Sequence, residues 1–279
     1  MCWFRCFVLS LLASNALAAG DGFIIGAGIE ADSSDGLAGS LLGGFGLSEK
    51  TWISASVARS SADLSPRQNL EMLYADFEID HWFKPLGMRL GAAYWGDSDI
   101  LDSADLRGSL YWRTEKVTIS ADYEYRDFDF VVPATELFRG RTIFFDADGM
   151  GLTVRFELNE TIDLSLVRMK YDYSVDFRPS DNRDIVRLLS ASRLSLINSL
   201  IDYRAKASMG IEHGLRRWQF GLSVSEGAVD GSRTTSATLS FLTPLANKSD
   251  IEFSIGHDDS DRFDDVMFFS VLVYFYGGA

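Results

Sequence analysis

Apolar and polar residues alternate one for one along most of this chain, in runs longer than the ~5–6 residues of an ordinary soluble strand. Trp218, Phe220, Leu222 and Val224 alternate with Gln219, Gly221, Ser223 and Ser225. Ile201, Tyr203, Ala205, Ala207, Met209 and Ile211 alternate with Asp202, Arg204, Lys206, Ser208, Gly210 and Glu212, and Met150, Leu152, Val154, Phe156 and Leu158 oppose Gly151, Thr153, Arg155 and Glu157. The same period runs through 251–256, 117–126, 106–113, 88–95 and 73–81, and through the more Gly- and Ser-rich 23–30, 37–47 and 51–58. One run changes parity. Ile162, Leu164 and Leu166 share a face, but Val167, Met169, Tyr171 and Tyr173 continue on the other. A one-residue slip turns every later side chain over, so a β-bulge near Leu166 and Val167 is expected to restore the apolar face.

The connections alternate in length. Short turns fall at 47–50, 84–87, 113–116, 158–161, 213–217 and 244–249, and longer polar links at 60–69, 97–102, 131–146, 178–199 and 257–264, with shorter ones after Ala31 and Ala228. The pattern predicts an all-β fold of about fourteen antiparallel strands with both termini on the short-turn side. At ~10 residues per membrane-spanning strand these use about 140 residues and leave the rest for loops. Short turns on one side and long loops on the other are the connectivity of an outer-membrane barrel. After the first residues no uncharged run approaches the ~18 that a membrane helix needs, so a membrane-spanning reading requires strands.

The last strand, V-M-F-F-S-V-L-V-Y-F-Y at 266–276, presents Phe275, Val273, Val271, Phe269 and Met267 on one face. Such a strand also suits the core of a soluble sandwich. With its aromatic end it resembles the C-terminal assembly signal of bacterial outer-membrane β-barrels, although that signal usually ends on the aromatic and here four residues follow Phe275. Over 19–279 the chain resembles porin-like outer-membrane barrels, without the marks of one family. The resemblance implies a monomeric antiparallel transmembrane β-barrel in the outer membrane of a Gram-negative cell, with the barrel-assembly machinery, membrane lipids and lipopolysaccharide as partners. Trp52, Trp82, Phe83, Trp112, Trp218 and Phe241 beside the short turns are then expected to form an interfacial aromatic girdle.

Residues 1–18 hold one Arg, an apolar run and Ala16 and Ala18 flanking Leu17, which reads as a secretory signal cleaved before Ala19. Cys2 and Cys6 both lie within it, so neither a disulfide nor thiol chemistry is expected in residues 19–279. Losing Arg5 moves the formal charge from −14 to −15, which argues against a nucleic-acid partner.

On the face opposite the lipid the alternation places Asp76, Glu78 and Asp80, then Arg107 and Arg113, then Asp122, Glu124 and Arg126, then Arg155 and Glu157. The expected bulge adds Arg168, Lys170 and Asp172, and the next run adds Asp202, Arg204 and Lys206. Charge at membrane depth must face water or a partner, so these residues are expected to line a lumen. Acids gather on the fourth strand and bases on the eighth to tenth, a distribution that either sets up a transverse field across a pore or cross-links a closed wall. Within 178–199, Ile185, Leu188, Leu189, Ser192 and Leu196 recur at helical spacing behind a cap at Ser180 or Asp181, which predicts a short amphipathic helix in that loop, or else an extension of the tenth strand.

These residues favour a passive channel for small polar solutes or oligosaccharides, with no catalytic residues, metal or cofactor. The alternative from another class is a closed structural or accessory barrel of a polysaccharide-export or adhesion system. An outer-membrane hydrolase would rest on His257, Asp258, Asp259 and Ser260, and no G-x-S-x-G supports it. The acidic runs Asp97, Asp99, Asp102, Asp105 and Asp261, Asp264, Asp265 lack the Gly and terminal Glu of an EF-hand and read as solvated loops.

Overall fold

The computed structural model describes residues 22–65, 68–97, 99–132, 141–175, 200–229, 231–262 and 264–277. They form β1 (Phe23–Asp32), β2 (Leu37–Ser48), β3 (Thr51–Ser65), β4 (Gln68–Phe83), β5 (Leu86–Asp97), β6 (Leu101–Arg113), β7 (Val117–Val132), β8 (Arg141–Asn159), β9 (Ile162–Tyr173), β10 (Ile201–His213), β11 (Arg216–Gly227), β12 (Arg233–Ala246), β13 (Ser249–Ser260) and β14 (Val266–Gly277). Each strand pairs antiparallel with its sequence neighbours. β1 closes on β14 from Phe23↔Gly277 to Asp32↔Phe268, so the sheet is a closed fourteen-stranded barrel with no free edge. The six connections on the side where Phe23 meets Gly277 are two or three residues long. On the other side the strands run further than the sequence suggests. β3 and β4 take up most of 60–69, β7 and β8 half of 131–146, and β8 at 19 residues is about twice the length needed to cross a bilayer. The helix expected around Ile185 to Leu196 lies outside the described residues.

Residues in register across an antiparallel pair share a face, so the ladders sort every strand. On β14 Phe275, Val273, Val271, Phe269 and Met267 face outward, and Tyr276, Tyr274, Leu272, Ser270 and Phe268 face the interior. The outward set continues around the barrel through residues such as Leu41, Leu110, Leu152 and Leu222, which stand more than half exposed. An apolar belt of this size around a closed barrel is satisfied by lipid, not water, and places the protein among bacterial outer-membrane barrels.

Four of the expected girdle aromatics, Phe83, Trp112, Trp218 and Phe241, do face outward, with the last two rings 4.3 Å apart. Trp52 and Trp82 do not. Trp52 is buried inside against Ile24, Leu42 and Tyr274, and Trp82 lies inside with the Arg113 guanidinium 5.7 Å from its ring. Both indoles share parity with charged inward neighbours, Trp82 with Asp80 on the same strand and Trp52 in register with it.

From β3 to β9 the polarity of the wall inverts part-way up. On β7 the outward residues pass from Val117, Ile119 and Ala121 through Tyr123 and Tyr125 to Asp127 and Asp129, while the inward ones pass from Ser120, Asp122, Glu124 and Arg126 to Phe128 and Phe130. On β8 outward Val154, Leu152 and Met150 give way to Asp148 and Asp146, and inward Arg155 and Thr153 to Ala147 and Phe145. Below the switch the arc is a membrane wall around a polar lumen. Above it the arc is a soluble-type wall around an apolar core of Met72, Tyr74, Trp95, Leu101, Phe128, Phe130, Phe145 and Ala147, joined by Leu200 and Val229 from the links after β9 and β11. Phe128 stacks on Phe145 at 4.7 Å and meets Trp95 edge-on at 5.9 Å, geometries that aromatic pairs favour.

The same inversion explains the parity change on β9, and it overturns the expected bulge. β9 pairs without a register break from Tyr203↔Lys170 to Ile211↔Ile162 on one side and from Ala147↔Tyr173 to Glu157↔Asp163 on the other. The backbone does not slip. The apolar parity moves because outside changes from lipid to headgroup and water while inside changes from polar lumen to packed core. Arg168, Lys170 and Asp172 therefore face outward, in register with Leu152, Met150 and Asp148.

Candidate functional site: the barrel lumen

The inward acids of β4 are paired with cations of β5 and β6. Asp76 is bridged by Arg107 and accepts from the Tyr74 hydroxyl at 3.1 Å. Arg89, which the sequence reading left out, lies 3.2 Å from Glu78 and 3.0 Å from Asp80, and Asp80 also accepts from the Tyr111 hydroxyl at 2.6 Å. The acids of β4 thus meet their countercharges on the next two strands, and the expected field between β4 and β8–β10 is largely cancelled at its source. Asp122 accepts from Ser120 at 2.5 Å and from Thr153 at 2.6 Å.

Higher in the lumen lies a fully desolvated network. Arg126 is 0% and Glu124 1% exposed. The Arg126 guanidinium donates to Glu124 Oε1 at 3.1 and 3.2 Å and to the Tyr171 hydroxyl at 3.0 Å, and lies 4.3 Å from the Tyr171 ring centre. Tyr171 donates to Glu124 Oε2 at 2.6 Å, and Arg204 reaches the same oxygen at 3.5 Å. Beside it Asp105 accepts from Trp95 Nε1 at 2.9 Å and Ser103 at 2.5 Å, with Arg126 4.0 Å away. A buried pair of this kind is tolerated because its remaining lone pairs and protons are also satisfied. Gly149 on β8 gives Tyr171 its place, since a Cβ there would stand 2.6 Å from Tyr171 Cε1.

The opposite arc is different. From β10 to β13 a run of inward positions is small, with Ser208, Gly221, Ser223, Ser225, Thr234, Ser236, Thr238, Ser240, Ser254 and Gly256 set among the longer Arg204, Lys206, Arg217, Gln219 and Glu252, and Ser270 following on β14. These short side chains leave a cavity of about 540 Å3 between the arcs. It runs from Arg113, Lys116, Glu160 and Arg217 near the short turns to Ser225, Thr234 and Asp258, and Arg155, Arg204 and Lys206 line its middle. Near the short turns Arg217 holds Asp163 at 2.5 Å and Glu212 at 2.6 Å. Below the small-residue arc Ile24, Leu42, Trp52, Leu272 and Tyr274 fill the interior, and Tyr274 donates to buried Glu252 at 2.8 Å.

Of the residues assigned to the lumen from sequence, Asp76, Glu78, Asp80, Arg107, Asp122, Glu124, Arg126, Arg155, Glu157, Arg204 and Lys206 face the interior. Arg168 and Lys170 do not. Asp202 falls in a register shift between Ile201 and Tyr203, where Ile201 takes the buried place against Met169 and Tyr171. Tyr111, Tyr171, Trp95 and Arg89 were missed: Tyr111 shares parity with Arg107 and Arg113, but no residue of β5 had been assigned inward, and Tyr171 has the opposite parity to Arg168 and Lys170. The candidate catalytic group is divided between the faces: His257 and Asp259 point outward, and Asp258 and Ser260 inward. Asp97, Asp102 and Asp105 do not converge either. Asp105 is buried inside, Asp102 faces outward, and Asp97 accepts from the backbone of Asp99 and Glu71.

No protein-family model matches the chain, and no curated protein matches it in sequence. Solved structures match its fold. The CymD monoaromatic hydrocarbon channel aligns over 94% of this chain and 90% of its own at 9% identity and a TM-score of 0.58. The deltaS2S3 mutant of the TodX monoaromatic hydrocarbon channel aligns over 94% and 91% at 9% identity and 0.57. A loop-deleted OmpT, an outer membrane protein of Vibrio cholerae, aligns over 92% and 100% at 9% identity and 0.51. At such identities the likeness is one of architecture, the outer-membrane β-barrel.

Proposed function

We propose that the protein is a passive channel of the bacterial outer membrane for small polar solutes or oligosaccharides, matured by removal of residues 1–18 and inserted by the barrel-assembly machinery. The observation that carries this reading is the cavity of about 540 Å3, within the ~300–1,000 Å3 of small-molecule sites. Its lining sets Arg204 and Lys206 of β10 beside Ser225 and Ser223, their register partners on β11, and includes Arg155, Thr234, Ser236 and Thr238. Cations set beside hydroxyls offer hydrogen bonds to sugar-like and anionic solutes and little to hydrocarbons. The named channels among the structural neighbours carry monoaromatic hydrocarbons, so they inform the architecture of this chain and not its solute. The apolar core above the arc β3–β9 favours a second reading, a barrel closed for structural or accessory use. Planar-bilayer recording of the purified protein separates the two. The channel reading expects ohmic conductance that shifts toward cation selectivity in Arg204→Ser/Lys206→Ser. An inserted, folded protein that conducts nothing overturns it.

A further inference from the structure

Arg168 and Lys170 are cations on the lipid-facing side of the barrel, at the upper edge of its apolar belt. They lie two residues apart on one outward face of β9, in register with Leu152 and Met150 of the apolar belt on β8 and with Ala205 and Tyr203 on β10. Both are exposed. The Arg168 guanidinium turns onto the Tyr203 ring, 5.4 Å from its centre, which carries its charge up to the level of Lys170. Arg59, another outward cation on a belt strand, is by contrast bridged to Glu71. Asp148, engaged by the Tyr123 hydroxyl, and Asp172 are one outward step further toward the long links, and Glu226, in register with Tyr203 at the level of Lys170, has Arg233 as its register partner on the far side. The top of the belt on β9 therefore holds two lipid-side cations and an aromatic ring beneath a water-side acidic rim, on a chain whose net charge is strongly negative.

We infer that Arg168 and Lys170 form a binding site for the phosphate of an outer-leaflet glycolipid, with Tyr203 packing beside its sugar. A phosphate at headgroup height meets both cations from the lipid side, and acyl chains below it lie along Leu164 and Leu166. The site stands apart from the lumen and from whatever the lumen carries.

The test is native mass spectrometry of the full-length protein in detergent, titrated with bisphosphorylated lipid A and with the same lipid enzymatically dephosphorylated. Wild type is expected to bind the phosphorylated lipid about thirtyfold more tightly than Arg168→Gln/Lys170→Gln does, as two near-surface cations should give. It should prefer that lipid over the dephosphorylated one by a similar factor, and Arg59→Gln should match wild type. Millimolar inorganic phosphate should not compete, because it lacks the acyl chains. Equal binding by the double variant, or equal binding of the two lipids by wild type, overturns the proposal. If the double variant does not fold, as heat-modifiable gel migration would reveal, the wild-type comparison of the two lipids and Lys170→Gln alone still decide it.

Discussion

The two arcs of this barrel solve one problem in opposite ways. From β3 to β9 many inward positions carry large or charged side chains, β3, β4, β7 and β8 at 15 to 19 residues outrun the membrane, and Trp95, Phe128 and Phe145 pack into a core of their own. From β10 to β13 the strands are 12 to 14 residues long and many inward positions are Ser, Thr or Gly, set among the charged Arg204, Lys206, Arg217 and Glu252. The cavity proposed as a solute path lies where one arc withdraws from the other. On that proposal the first arc supplies rigidity and the second passage.

The sharpest way to break this division is to disturb the first arc's charge network. Glu124→Gln leaves Arg126 buried beside a neutral amide, and losing one partner of a buried ion pair costs ~3–5 kcal/mol. Urea unfolding in lipid vesicles should register it. Phe128→Ala should cost ~3–5 kcal/mol in the same assay, and because it thins the apolar core it should also raise conductance. Gly149→Ala forces Tyr171 away from Glu124 and is expected to cost ~1–3 kcal/mol as overpacking does. In the second arc Ser236→Ala should fall within about 0.5 kcal/mol of wild type, since it lines open space. A loss as large as that of Phe128→Ala would erase the contrast between the arcs.

Selectivity sharpens the comparison further. A unit charge ~4 Å from an ion path is worth between about 1 and 4 kcal/mol, so Arg204→Ser/Lys206→Ser should move the reversal potential toward cations, and the shift should fade at ~1 M salt. Arg168→Ser should leave it unchanged, because that side chain faces outward.

The strand number, the side of the short turns and the outward belt were legible because lipid imposes one rule on every strand it touches. Inversion was not. A change of apolar parity is written the same way by a bulge and by a change of environment, and only the ladders of β9 distinguish them. The same ambiguity hid Trp52 and Trp82, whose indoles suit an interface as well as an interior. Charged lumen positions were readable wherever their strand kept to the belt, as with Asp76, Arg107, Asp122 and Arg155. Asp202 failed because it sits at a register shift beyond the belt, whereas Gly221, Ser223 and Ser225 were legible as the polar face of their strand.

The most direct measurement is thiol accessibility along the second arc. Both native cysteines lie at positions 2 and 6, so a cysteine placed at Ser236 is the only thiol in residues 19–279. Adding a bulky charged thiol reagent to single Ser236→Cys channels in a planar bilayer should cut conductance in one irreversible step, and the same reagent should leave Ala58→Cys, inward but on the packed arc, unaffected. Full conductance after complete modification of Cys at 236 would contradict a solute path along β10–β13.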